Sequence, residues 1–180
     1  DAFGERLAFD AGYYDGWGST FDFGYTRQTY AHNAITHSNG EGQPTQNIMA
    51  KGIITDYLYT PTFDLSTGDA TESYNTASKE VGKVKRNMIY IRPDTFIVVD
   101  DLEAPEGEET TFEMWMQAET KMELYDNNRG LKITKGNAEL DATVHYPKNV
   151  NAYYSDVYAG TDISKAFNRP LALIEQHKHA

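Results

Sequence analysis

Val81–Val99 reads VGKVKRNMIYIRPDTFIVV. Val81–Arg92 is long enough for one strand. Ile89 and Ile91 fall on one face, and Val84, Met88 and Tyr90 share the other with Arg86 and Arg92. Pro93-Asp94 is a turn signal. Thr95–Val99 is the most apolar run of the chain and is predicted to be a central core strand, closed by Asp100-Asp101. Adjacent strand residues point to opposite faces, so those two aspartates read as strand-end caps and not as an acid/base pair.

The same grammar extends in both directions. Upstream, Arg6–Asp10 is a short strand candidate, Tyr13–Gly24 a surface loop displaying aromatic rings, Ile48–Thr55 and Tyr57–Thr62 extended runs, and Asp64–Ala70 turn-rich. Downstream, Phe112, Met114 and Met116 share a face within Thr110–Ala118. Leu131 and Ile133 alternate with lysines, and Leu140, Ala142 and Val144 line up after a Lys135–Asn137 turn. Asn149–Asn168 reads as irregular and Leu171–Ile174 as the last strand. About ten to twelve closely spaced strands without an amphipathic helix predict an all-β protein, an antiparallel β-sandwich, with residues 1–180 forming one domain.

Composition bounds the function. Hydrophobic residues are 39% and charged residues 24%, which suits a globular domain. A net charge of −11 and the lack of basic patches argue against nucleic acid. No apolar run approaches a membrane span, and no secretory leader is visible. Both ends read as cuts within a larger protein. Without cysteine, disulfides are excluded and the compartment stays open.

Tyr25–Gln43, YTRQTYAHNAITHSNGEGQ, is where chemistry gathers. Tyr30, Ala31, Ala34 and Ile35 flank His32-Asn33 and predict a strand that would hold the imidazole rigidly. Asp10, on a different predicted strand, could meet it. One Asp and one His fall short of zinc, which needs about three protein ligands. Tyr13, Tyr14, Trp17 and Arg27 are candidates for substrate contact, since rings stack on sugars and arginine pairs with carboxylates.

The order of motifs carries more than any one of them. RLAFDAGYY from Arg6, TRQTYAHNAI from Thr26 with its turn to Gln43, GDAT at Gly68–Thr71 and VKRNMIYIRPDTFIVVDDLEA at Val84–Ala104 are followed more loosely by His145-Tyr146-Pro147. Together they resemble the C-terminal β-sandwich of the heparinase II/III-like polysaccharide lyases, a family that includes alginate lyases. The resemblance implies a supersandwich-like fragment of a larger toroid-plus-sandwich enzyme, a carbon–oxygen lyase whose N-terminal helical toroid carries most catalytic groups. It implies a metal, commonly zinc with calcium as the alternative, held by Asp10, His32 and a histidine preceding this chain. It also implies a cleft tyrosine from the loop between Asp10 and His32, which Tyr13 or Tyr14 could match, and no other residue of this chain is a catalytic candidate. It implies β-elimination of an acidic polysaccharide (alginate, heparan-type or another uronate polymer) in the bacterial periplasm or outside the cell. The fragment alone is expected to be inactive. His37 stands where the family usually has an apolar residue and is expected to be exposed at a strand end. Two other readings compete: a non-catalytic carbohydrate-binding or scaffold β-sandwich, and a metal-dependent hydrolase.

Overall fold

The computed structural model describes residues 2–10, 16–75, 81–155 and 171–178, the last eight and residues 153–155 by their backbone. Among them run β1 (Ile35–His37), β2 (Ile53–Tyr59), β3 (Phe63–Asp69), β4 (Lys83–Ile91), β5 (Thr95–Glu103), β6 (Thr110–Gln117), β7 (Met122–Tyr125), β8 (Gly130–Lys135), β9 (Ala138–Thr143), β10 (Val150–Ser155) and β11 (Leu171–Lys178). Helical structure amounts to single turns: a π-helical turn at Asp22–Thr26, a 3-10 turn at Thr29–Ala31 and α1 at Thr71–Tyr74. Every strand pair with a defined register is antiparallel. The all-β, antiparallel β-sandwich class read from the sequence is what the chain adopts. None of the described helices is long and apolar enough to cross a membrane.

The chain divides into two compact units, Asp1–Thr45 with Thr111–His177, and Gln46–Thr110 with Lys178–Ala180. In the first, one sheet has the order β1-β6-β11-β10 and a second the order β7-β8-β9. In β8, Leu131 and Ile133 point inward and Lys132 between them reaches Glu139, while Lys135, in register with Ile133, meets Glu119 at the strand end. Leu131 and Ile133 pack with Met122, Ala138, Leu7 and Ala118, and Met116 of β6 closes the cluster. Complete burial of a side chain such as Ile133 contributes about 1.5–3 kcal/mol. The β8–β9 connection is two residues, Gly136-Asn137, with Gly136 at φ +56°. A positive φ at the first position alone is the II′ hairpin geometry, which glycine adopts without steric cost.

β6 is buried on both faces. Phe112 fills one, and Glu113, Trp115 and Gln117 lie inward on the other. The sequence pattern shows only the first of these faces.

The second unit is a meander in the order β2-β3-β4-β5. β4 and β5 pair from Lys83↔Glu103 to Ile91↔Thr95, so the two runs of Val81–Val99 are neighbours as their spacing suggests. Thr95–Val99 is, however, part of an edge strand and not a central one, and Phe96 is 62% exposed. Apolar content marks a strand, but it does not distinguish the middle of a sheet from its margin. β5 also continues through Asp100-Asp101. Asp100 takes two hydrogen bonds from Arg86 across the ladder (2.6 and 3.0 Å) and Asp101 one from Lys83, so neither aspartate is an end cap.

Other local expectations give way to pairing. Asp64–Ala70 is not a turn: β3 fills it, flanked by β2 and β4, which overrides the weak strand propensity of Gly68-Asp69. Ile53–Tyr59 is one strand with a register shift between Ile54 and Asp56, where two runs were expected. Arg6–Asp10 makes only an isolated bridge, Ala8 with Ala118. Within the supposed loop before Tyr25, the chain coils into the π-helical turn and buries Phe21 and Asp22. Residues 150–155 form β10 where irregular chain was expected, and 156–168 lie outside the described residues.

Candidate functional site

The expected strand through His32 does not form. Thr29–Ala31 makes a 3-10 turn, His32 follows in extended conformation, and β1 begins only at Ile35. Polar capture explains the difference. The Tyr30 hydroxyl donates to the Gly24 carbonyl (2.7 Å), and the Tyr30 carbonyl accepts from the Gln117 side chain (2.9 Å). These bonds bend the segment over β6, where the sequence alone suggests a ladder partner.

The bend carries His32 to Asp10. The His32 Nδ1 lies 2.9 and 3.0 Å from the two carboxylate oxygens, with both side chains partly open to solvent. A carboxylate only accepts, so Nδ1 is the donor in this contact. Neither residue sits on a strand. Asp10 is placed by its neighbour Phe9, whose N–H donates to the Gln117 carbonyl (2.9 Å).

Arg27 is fixed more firmly. Its Nε and Nη2 each donate to Asp22 at 2.7 Å, in the two-pronged geometry that a guanidinium matches to a carboxylate. The rings of Trp17 and Phe23 each lie 4.5 Å from its central carbon. Asp22 is buried and also accepts the Gly18 N–H at 2.8 Å. The Arg27 hydrogen bonds hold its carboxyl below the ordinary value of 3.8, against the upward push of burial. Trp17 itself is 78% exposed.

Arg27 and His32 line a half-open cleft of about 300 Å³ with Thr29, Ala34, Gln43, Pro44 and Thr45. The Gln43 N–H donates to the Thr29 hydroxyl (2.8 Å), tying the two walls together. A cleft with a guanidinium and an imidazole on its walls suits an anionic or hydroxyl-rich ligand.

Of the residues singled out from sequence, Asp10 meets His32, and Arg27 shares the cleft with His32. Trp17 covers Arg27. Tyr13 and Tyr14 lie outside the described residues. His37 is not exposed: it is 1% accessible, in β1, with its Nδ1 3.2 Å from the Ser38 hydroxyl. Asp22, Asn33, Glu113 and Gln117 are supports that the sequence reading misses. Asn33, Glu113 and Gln117 have partners far along the chain, and Asp22 is met by Gly18 and Arg27 within a turn that the sequence reads as a surface loop.

The donor set can be tested for a metal. Two donors at zinc's bond lengths of about 2.0–2.1 Å stand about 3.3 Å apart in a tetrahedral shell. The Asp10–His32 separation is within about 0.4 Å of that. That separation is equally an ordinary hydrogen-bond length, and an ion between the two would displace the Nδ1 proton. Among the described residues no third His, Cys, Asp or Glu joins them.

Residues 2–170 match the family model described as heparinase II/III-like, C-terminal. No curated protein sequence matches the chain. Among solved structures, heparan sulfate lyase HepC from Pedobacter heparinus has a similar fold, with a TM-score of 0.69 at 18% identity over 97% of this chain and 26% of that one. A mutant of HepC gives 0.66 at the same identity and coverage. At this identity the likeness is one of fold, and the chain spans about a quarter of the length of those proteins. With the family match running through nearly all of its sequence, the chain belongs to the heparinase II/III-like C-terminal family.

Proposed function

We propose that this chain is the β-sandwich part of a polysaccharide lyase, and that the longer protein cleaves a uronic-acid-containing polysaccharide by β-elimination. The observation that carries the reading is the Asp10–His32 contact on a cleft that Arg27 also lines. The heparan sulfate lyases of similar fold favour a glycosaminoglycan-type substrate over alginate.

In such an elimination a base removes the C5 proton beside the uronate carboxylate. The C4=C5 double bond forms, the C4–O4 bond breaks, and an acid protonates the departing oxygen. The C5 proton becomes acidic enough only when the neighbouring carboxylate is neutralised. Arg27 is suited to orienting that carboxylate, because Asp22, which already balances its charge, and two rings fix its plane before substrate arrives. Trp17, and Tyr13 and Tyr14 on the family pattern, contribute ring surface for sugar. A helical toroid supplies the remaining acid and base groups. Asp10 and His32 hold an ion with a third ligand from outside the described residues. The imidazole donor favours zinc over calcium, which prefers oxygen. Bound there, the ion supplies positive charge and fixes the cleft wall. A periplasmic or secreted bacterial location goes with this reading.

The test is the ultraviolet absorbance of the unsaturated uronate product. The longer protein is expected to generate it on heparan sulfate or another uronate polymer, and this chain alone to generate none. A longer protein inert towards every such polymer would refute the proposal. His32→Ala is expected to lower metal content, and unchanged metal would remove the proposed ligand pair. The exposure of Trp17 favours a second reading, a non-catalytic glycan-binding sandwich. Its signature is direct glycan binding by this domain, with no product formed by the longer protein.

A further inference from the structure

Asp10 and His32 are 22 positions apart, and neither is held by a strand of its own. Both nevertheless trace to one residue, Gln117 at the end of β6, which is 2% exposed. The Gln117 carbonyl accepts the N–H of Phe9, the residue before Asp10 (2.9 Å). The Gln117 N–H donates to the side-chain oxygen of Asn33, the residue after His32 (2.8 Å). The Asn33 amide then reaches back to the Phe9 carbonyl (3.4 Å) and closes the loop. The Gln117 side chain binds the same bend twice more, donating to the Tyr30 carbonyl and accepting from the Tyr25 hydroxyl (3.1 Å).

From this geometry we propose that Asn33, anchored on the main chain of Gln117, is the positioning residue that sets the Asp10–His32 distance. Each member of the pair is one residue from a hydrogen bond to the main chain of the same buried residue, Gln117, so the backbone on both sides is tied to one point of β6. Only the Asn33 arm of that clamp is a side chain, and so only this arm is open to substitution. The inference rests on the reading that Asp10 and His32 act as a pair. It differs from that reading in assigning the spacing to a residue that touches neither carboxylate nor imidazole through any bond named above.

The experiment uses the full-length protein that carries this sequence, as wild type, Asn33→Ala, Asn33→Asp and His32→Ala. Zinc affinity is measured by competition with a chromophoric chelator, and ligand geometry by the visible band of the cobalt(II)-substituted protein. In metal-free protein labelled with 15N-histidine, the His32 imidazole reports whether Nδ1 keeps its proton on Asp10. Asn33→Ala is expected to weaken zinc about tenfold or more, as loss of an outer-shell support does, to move the cobalt band and to lose the Nδ1–H signature. Asn33→Asp keeps the oxygen that accepts from Gln117 but sets a second oxygen towards the Phe9 carbonyl, and is expected to restore all three in part. Wild-type zinc affinity, cobalt band and imidazole spectrum in Asn33→Ala, while His32→Ala abolishes binding, would overturn the inference. If His32→Ala leaves zinc binding intact, the ligand reading falls, and the metal-free imidazole spectrum alone decides whether Asn33 sets the pair. Should Asn33→Ala not fold, Asn33→Ser takes its place, since its shorter hydroxyl cannot span both the Gln117 N–H and the Phe9 carbonyl and is expected to shift the readouts in the same direction.

Discussion

Glu113→Ala removes the carboxylate that holds the turn after β1. Glu113 is 2% exposed on β6 and accepts three donors: the Asn39 N–H (2.9 Å), the Gly40 N–H (2.9 Å) and the Thr36 hydroxyl. The Trp115 indole in turn donates to that hydroxyl at 2.7 Å. Ser38, Asn39 and Gly40 all have positive φ (50°, 68° and 94°), which costs a non-glycine residue about 1–2 kcal/mol. The carboxylate offsets that cost by taking two successive N–H groups into one concavity. Hydrogen bonds to a charged acceptor contribute about 1.5–3 kcal/mol each, so two of them give about 3–6 kcal/mol. Asn39 is exposed and water can reach the turn, which favours the low end, about 3 kcal/mol. At about 2–4 °C per kcal/mol for a protein of this size, the melting temperature should fall by about 6–12 °C. Glu113→Gln keeps one oxygen and turns its amino group towards the other donor, so about half the loss is expected. Near-ultraviolet circular dichroism during thermal unfolding, with Trp115 as the local probe, measures both. A melting temperature for Glu113→Ala within about 2 °C of wild type would refute the reasoning.

Two further outcomes follow from the same site. Gly42→Ala would place a methyl inside van der Waals contact of the Thr29 hydroxyl and Cβ, and Thr29 is buried, so about 1–3 kcal/mol of overpacking is expected in urea unfolding; an unchanged midpoint would mean that the cleft wall yields. Asp22→Asn tests pH dependence: the folded-state pKa of Asp22 lies below 3.8, so its contribution is complete above the ordinary carboxylate range and is lost as pH falls through the lowered value. The stability difference between wild type and Asp22→Asn should therefore be constant near neutrality and shrink on acidification below about pH 4, and a difference independent of pH in urea unfolding would contradict the Arg27 pairing.

What the sequence discloses and what it conceals divide along physical lines. Leu131 and Ile133 alternate with lysines because one face of β8 meets the core, and period-two patterning is local information. The pairing of β4 with β5 is legible for the same reason: two extended runs and a Pro-Asp turn leave little alternative. The Asp10–His32 encounter is legible only as a possibility, since nothing local brings residue 10 to residue 32. The strand expected through His32 fails because the Tyr30 carbonyl takes the Gln117 side chain and the Ala31 and His32 N–H groups turn back onto the Gln28 and Thr29 carbonyls, not onto another strand. Glu113 and Gln117 are concealed most completely. They alternate with Phe112, Met114 and Met116, and a polar residue in that register reads as solvent-facing. Both are buried because partners 73 to 92 residues away in sequence satisfy them.

β6 therefore does two jobs with its two faces. The even-numbered face continues through Met116 to Ala118 and joins the apolar cluster beneath β7, β8 and β9. The odd-numbered face is a row of hydrogen-bonding groups: Glu113 shapes the turn before Gln43, Trp115 fixes Thr36, and Gln117 gathers Phe9, Tyr25, Tyr30 and Asn33. None of the three lines the cleft. Cores of this kind are demanding, because a buried polar group left without its partner costs more than an apolar substitute would. Retaining two polar side chains there makes physical sense if what matters is the placement of the chain above them. On this view, the rigidity of the Asp10–His32 pair comes from the strand below it, and substitutions on β6 should reach the cleft without touching any ligand in it.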